Sequence, residues 1–270
     1  MTIQAKAESL DEEFGGAEEN VPAGSAILRA IRIIEAIARY ESPPQLAEIC
    51  REVGLPKPTV YRILATLEHA GWVGREPGSK RYASAQKLTE TAGEILMRSP
   101  SRAPRHAILE ELVEQIGETC NLTIPNVDAV LYLDRVETAW PLRVALGAGS
   151  RVPLYASASG KLFLSHLPKR SRDRFLRLTP LIRHTGNTFT DPAKLSKELE
   201  EIRARGYATD NEEYLSGICC IAVPVRDGDS RVVAALAVHA PLARMRLDQA
   251  VEYLPMLRAG AESIAQTIDW

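Results

Sequence analysis

Lys57, Tyr61 and Arg62 share a segment with Val60, Ile63, Leu64 and Leu67, and at helical spacing the two sets separate onto opposite faces. The apolar set turns inward, which turns Lys57, Pro58, Tyr61, Arg62 and Ala65 outward. An ammonium, a guanidinium and a phenol on one exposed helix face are groups that contact phosphate oxygens and base edges. With Thr59 beside them, Lys57, Pro58, Thr59, Tyr61 and Arg62 are the candidate DNA contacts of this helix. A second set is Asp210, Cys219, Cys220 and His239. A thiol with an imidazole base and an oxyanion site at a helix start is the outline of covalent catalysis. Against that outline, Gly217-Ile-Cys-Cys-Ile-Ala-Val223 reads as a buried strand, where a free thiol behaves as a small core residue. Asp210 then either caps a strand or lines a pocket, and Cys220 is either core or pocket wall. His239 is either a satisfied structural residue or a donor to an acidic ligand, since its ordinary pKa near 6.5 permits both protonation states. A third set is Ser157, Ala158, Ser159 and Gly160, small residues that precede a helix. The free N–H groups of a helix start form an anion site, although the same serine equally serves as a plain N-cap.

No set has metal chemistry. Four cysteines (Cys50, Cys120, Cys219, Cys220) and five histidines (His69, His106, His166, His184, His239) fall at no metal-type spacing, so neither a metal nor a cofactor is expected. A chain of 270 residues suggests two folded units. It shows neither an apolar run of membrane-span length nor a signal pattern, which reads as a soluble, cytoplasmic protein. The net charge of −2 is unevenly spread. Residues 1–20 carry one Lys against six acids, residues 21–100 carry eleven basic residues against eight acids, and the rest balance at twenty-one each. The basic excess therefore coincides with the candidate DNA-contacting helix.

The elements that must position these residues follow from periodicity and breakers. Residues 1–22 read as a disordered acidic tail. A helix over residues 25–39 puts Ile27, Ala30, Ile31, Ile34 and Ile37 on one apolar face. Residues 44–53 form a second, ended by Gly54, and the Lys57 helix starts around Pro56 and Pro58 and stops at Gly71. This is a helix-turn-helix. Residues 72–76 and 80–82 around Pro77-Gly78 read as a hairpin wing, with Arg75, Lys80 and Arg81 placed to meet a phosphate backbone. The winged helix-turn-helix spans 23–84 and a linker helix and boundary span 85–103. An α+β effector-binding domain, an antiparallel sheet flanked by helices, spans 104–270. In it, strands are expected at 122–124, 130–134, 142–146, 218–225 and 232–239, and helices at 106–116, 157–167, 195–205 and 246–267.

Several motifs in order resemble the IclR-type bacterial transcription regulators over nearly all of residues 24–268. They are Gly54-Leu-Pro-Lys-Pro-Thr-Val-Tyr-Arg-Ile-Leu64, Val152-Pro-Leu-Tyr-Ala-Ser-Ala-Ser-Gly-Lys161, Thr185-Gly-Asn-Thr188, Gly206-Tyr-Ala-Thr-Asp-Asn-Glu-Glu213 and Gly217-Ile-Cys-Cys-Ile-Ala-Val-Pro-Val225. The resemblance implies a GAF-like effector domain for a small organic acid, and dimers or dimers of dimers on double-stranded promoter DNA. It maps the effector pocket onto Val144, Val152, Ala158, Ser159, Asp210, Ile218, Cys220, Ala237 and His239. It also implies a departure: relatives that bind small oxo-acids carry hydroxyls on the strand matching Ala237-Val-His239, and this chain has none there, which points to a larger or more apolar acid. The reading is a metabolite-controlled, sequence-specific transcription regulator and not an enzyme. Its rival is a protein-interaction module that uses the winged helix against a partner.

Overall fold

The computed structural model describes residues 25–40, 42–76, 79–98, 102–126, 129–141 and 150–267. The tail expected over residues 1–22 and the strand expected at 142–146 lie outside the described residues. The chain divides into two units after Ala85.

The first unit holds α1 (Ala26–Arg39), α2 (Leu46–Val53), α3 (Lys57–His69), β1 (Val73–Arg75) and β2 (Tyr82–Ser84), the two strands pairing antiparallel. Gly54 ends α2 in the left-handed conformation at φ 67° and Pro58 sits in the first turn of α3, so the glycine and the prolines set the tight turn between them. Ile33, Ile37, Ile49, Val60, Leu64, Val73 and Tyr82 make its core. The face of α1 differs from expectation. Ile33, Ala36 and Ile37 are buried, whereas Ile27 and Ile31 are 72% and 45% exposed. The helix is apolar on more than one side, and periodicity alone does not say which side meets α2 and α3.

The second unit begins with α4 (Gln86–Arg98) and α5 (Arg102–Ile116). Then come β3 (Thr119–Asn126), β4 (Ala129–Val136), β5 (Arg151–Pro153), a 3-10 turn (Leu154–Ala156), α6 (Ala158–His166), α7 (Lys169–Leu178) and α8 (Pro192–Arg205). It ends with β6 (Ala208–Asn211), β7 (Ile218–Arg226), β8 (Val232–Pro241), α9 (Leu247–Glu252) and α10 (Leu254–Ala265). The six strands run β5-β4-β3-β8-β7-β6, every pair antiparallel. Helix α4, expected as a separate linker, packs against the sheet: a Cβ at Gly93 would stand 2.6 Å from Leu131 Cδ2. The single helix expected at 246–267 is two, because Pro255 can occupy only a first turn and so starts α10. Strand β5 and helix α7 were not expected as elements, and β6 was expected only as a strand end at Asp210; both strands are too short for a period of two to show.

Side-chain alternation gives the sheet two buried faces. Leu122, Leu133, Ile221, Val223, Leu236 and Val238 pack under α5 and α10. On the other face Val130, Tyr132, Val152, Ala222, Ala235 and Ala237 pack with α6 and α8. Gly160 lets α6 sit on the 3-10 turn, since a Cβ there would collide with the carbonyl and Cα of Leu154. Gly160→Ala should therefore destabilise the protein by about 3 kcal/mol or more. Gly54→Ala has an open site and only its positive φ to lose, and should cost about 1 kcal/mol. Urea unfolding of the two variants checks the order; equal costs would mean that α6 can lift off its seat freely.

Candidate functional site

The DNA-facing candidates come from α3 and the wing. Lys57, Pro58, Tyr61 and Arg62 are exposed and Thr59 is half-buried. Lys80 is exposed in the wing. Arg75 Nε lies 3.2 Å from Glu68 Oε1, and its guanidinium carbon stands 5.4 Å from the centre of the Tyr82 ring, which holds the side chain along the hairpin. Arg81 is tied inward: Nη1 donates to the Pro43 carbonyl at 2.7 Å and lies 3.6 Å from Glu48 Oε2. Tyr82 N–H donates to the Pro44 carbonyl at 2.9 Å, so the chain before α2 and strand β2 are stitched together at this point. Arg81 thus anchors the wing to the start of α2, a bond that sequence spacing does not reveal.

The second site is a cavity of about 470 Å³, mouth included, between the α6 face of the sheet and the N-terminus of α6. Of the residues mapped to it, Val152, Ala158, Ser159, Asp210, Ile218, Cys220 and His239 line it. Ala237 is not among the lining residues; it is buried on the same sheet face, in the core cluster with Ala222 and Ala235. Val144 lies outside the described residues. Ser157, expected at the helix start, also lines the cavity, and so do Asn121, Thr123, Val130, Tyr132, Tyr214 and Leu215, which the sequence reading missed. A signal for two of them was present. Asn121 and Thr123 alternate with Leu122 and Ile124, so β3 turns polar groups to one face although both faces are buried. The expectation of a hydroxyl-poor pocket is corrected accordingly. The β8 face has no hydroxyls, but Ser157, Ser159, Thr123, Tyr132 and Tyr214 bring them from other elements.

Ser157 works as an N-cap: its Oγ accepts from Gly160 N–H at 3.2 Å and donates to the Pro153 carbonyl at 3.1 Å. Ala158 and Ser159 also line the cavity, and their N–H groups, in the first turn of α6, have no acceptor within the helix. His239 is 4% exposed, and its Nδ1 lies 2.9 Å from Asn121 Nδ2. With that nitrogen accepting, Nε2 carries the proton and is buried without a partner among the described residues. Burial, aided by the charge of Arg135, pushes the imidazole down to about 3, so His239 offers a hydrogen bond and no charge. Asp210 is pushed the other way, up to about 7, by burial and then by the neighbouring Glu213 carboxylate; the Glu213 N–H bond at 2.6 Å and Lys161 oppose this. Burial also raises the Cys220 thiol far above its usual range, which removes the nucleophile that a thiol enzyme would need.

Behind the lining, Lys161 on α6 is almost fully buried, with Nζ 2.5 Å from Glu213 Oε1 and over the Phe189 ring at 5.0 Å. Thr185 and Thr188 hydroxyls donate to the carbonyls of Glu212 and Glu213 at 2.6 and 2.7 Å. Asn187 Nδ2 donates to the Asn211 carbonyl at 2.9 Å. The Thr185 motif therefore holds the chain from 211 to 213, and with it Asp210, in place. Among the described residues no cluster of His, Cys, Asp and Glu could hold a metal, and no helix is long and apolar enough to cross a membrane.

A winged helix-turn-helix followed by an α+β domain with a pocket lined by both apolar and polar side chains is the build of a ligand-binding transcription regulator. The family model for the bacterial transcriptional regulator IclR C-terminal domain matches residues 95–266, and that for the IclR helix-turn-helix domain matches residues 26–77. The chain belongs to the IclR family of transcription regulators; it is not an enzyme. It is 45% identical over 243 residues to the probable transcriptional regulator SauR of Cupriavidus necator, covering 90% of this chain and 96% of that one. It is 31% identical to the regulator KdgR of Escherichia coli K12, over 89% of this chain and 91% of that one. Among solved structures, IclR of Thermotoga maritima matches with a TM-score of 0.61 at 31% identity, over 90% of this chain and 98% of that one. An IclR homologue from Microbacterium hydrocarbonoxydans complexed with 4-hydroxybenzoate matches with a TM-score of 0.56 at 25% identity, over 90% and 98% of the two chains.

The neutral state of His239 has a consequence for stability. The unfolded chain protonates this residue near pH 6.5, the folded chain only near 3. Its contribution is therefore present above about pH 6.5 and is lost as the pH falls towards 3. His239→Gln cannot be protonated, so between about pH 7 and pH 5 it should gain about 2 kcal/mol relative to the parent. Urea unfolding at the two pH values reads this, and parallel curves would place the histidine in a solvated site.

Proposed function

We propose that this protein is a sequence-specific regulator whose promoter binding is controlled by a small organic acid held in the pocket between α6 and the sheet. The observation that carries the reading is the convergence of donors there: the α6 start, Ser159, Asn121 and a buried imidazole N–H with no partner among the described residues. Such a set is complementary to a carboxylate. The relative complexed with 4-hydroxybenzoate supports an acid of that general kind. Val130, Val152, Leu215 and Ile218 supply the apolar part of the wall.

On the DNA side, α3 enters the major groove with Lys57, Pro58, Thr59, Tyr61 and Arg62, and the wing contributes Lys80 and Arg75 to the backbone. Arg81 acts through the wing's position, given its bonds to Pro43 and Glu48. The protein works in the cytoplasm as a homodimer or dimer of dimers; exposed Ile27 and Ile31 on α1 support association through that helix. A second reading, a protein-interaction module, is favoured by no contact of its own.

Fluorescence anisotropy with the protein's own upstream DNA, measured over a range of salt, tests the proposal. The parent should bind with a steep negative salt slope. Lys57→Ala/Arg62→Ala should lower that slope by about 2 and weaken binding by about 10- to 100-fold. A parent that shows no salt-sensitive binding, with or without added acids, sinks the regulator model and brings the interaction module forward.

A further inference from the structure

An acid that enters this pocket meets a difficulty. The lining supplies neutral donors, yet it also contains a carboxyl group, Asp210, and among the described residues no cation lines the cavity. The imidazole of His239 is neutral and stays so at physiological pH. Two cations outside the lining act on its groups: Arg135, felt by His239 and Tyr132, lies 3.2 Å from Glu137 Oε1, and Lys161, felt by Asp210, is committed to Glu213 and lies 4.0 Å from Glu198. Two carboxylates brought together in a desolvated site repel strongly unless one of them holds a proton.

The groups facing Asp210 can be named element by element. Cys220 on β7 is directly opposite in register, and its thiol is held neutral by burial. Tyr132 on β4 has a phenol whose proton is held more tightly than usual, chiefly by burial, with Cys220 and Asp210 adding to the effect. His239 on β8 is paired in register with Cys220 and neutral. Lys161 comes from α6, and Glu213 and Tyr214 come from the loop after β6, Tyr214 in turn lying edge-on to His184 at 5.0 Å. Burial and the Glu213 carboxylate outweigh Lys161 and the backbone N–H bonds, which holds the Asp210 carboxyl well above the usual carboxylate range, at about 7, before any ligand arrives. An incoming anion adds a further charge of the same sign and completes the protonation.

We propose that a monocarboxylate effector binds with uptake of one proton from solvent onto Asp210, which then donates a hydrogen bond to the effector's carboxylate. The inference rests on the reading of this pocket as an acid site. The net charge of the filled pocket is then the same as that of the empty pocket with Asp210 ionised. This regulator consequently reads acid concentration and pH together: the same acid is bound more tightly as the cytoplasm acidifies.

The test is calorimetry on the full-length protein with 4-hydroxybenzoate, benzoate and lactate, in pairs of buffers of different ionisation heat. The expected result is an affinity that falls about tenfold from pH 6 to pH 8, with close to one proton taken up per ligand at the higher pH. Asp210→Asn, whose amide needs no proton to donate, should abolish both the pH slope and the uptake. Wild-type binding that is flat across this range with no proton uptake overturns the proposal and leaves the acid site standing. Failure of all three acids to bind at any pH overturns the acid site itself. The wild-type proton count stands even if the variant does not fold.

Discussion

The N-terminus of α6 can lie against the 3-10 turn that follows β5 only because position 160 has no side chain. A Cβ there would occupy the space of the Leu154 backbone, so the close seat is set by a single glycine. From that seat much else follows. The seat places Ser157, Ala158 and Ser159 at the cavity wall, and it drives Lys161, one helical turn on, into the interior. A buried ammonium must be paired, and Glu213 is the group that pairs it. Glu213 in turn donates its N–H to Asp210 and sets its carboxylate against that residue. One small residue thus fixes the donors of the pocket and, through a buried ion pair, the charge of Asp210, which lines it.

Much of this was legible in the sequence where local rules suffice. Gly54, Pro56, Pro58 and Gly71 mark the helix-turn-helix because backbone conformation alone decides what a glycine or a proline can do. The strands at 218–225 and 232–239 were equally plain, and in the turn between them the Asp227 carboxylate accepts from the N–H groups of Asp229 and Arg231. What the sequence did not show depends on partners distant along the chain. The side of α1 that meets α2 is one case, since isoleucines lie on more than one of its faces. Arg81 is another: it reads as a wing charge and is a tie to Pro43, 38 residues away.

In the pocket, the mapped positions on β5, α6, β6 and β7 were recoverable through the family motifs, and His239 at the end of β8 through the wider resemblance. The contribution of β3 was not, because no motif includes it. Asn121 and Thr123 reach the cavity only through the pairing of β3 beside β8, with Asn121 opposite Ala237 and Thr123 opposite Ala235. The alanines make room and the polar residues of the neighbouring strand fill part of it. The loss of hydroxyls on one strand is thus offset on the next, an exchange visible only in the sheet order. The protonation states of Asp210 and His239 were likewise out of reach, since desolvation is a property of the assembled site.

The strands that build the pocket also carry α4, which is the first element after the DNA-binding unit in the chain. Val152 of β5 lines the cavity, while its neighbour Arg151 pairs with Glu90 of α4 at 3.0 Å. On β4, Val130 and Tyr132 face the cavity and the intervening Leu131 meets Gly93 of α4 on the opposite face. Close-packed interiors pass on displacements because there is little free volume to absorb them. A ligand that shifts β4 or β5 therefore shifts the surface on which α4 rests. Its effect on DNA binding is limited by how differently it binds the alternative seats of that helix, not by how tightly it binds overall. A pocket whose occupancy depends on proton uptake makes that difference a function of pH as well as of ligand.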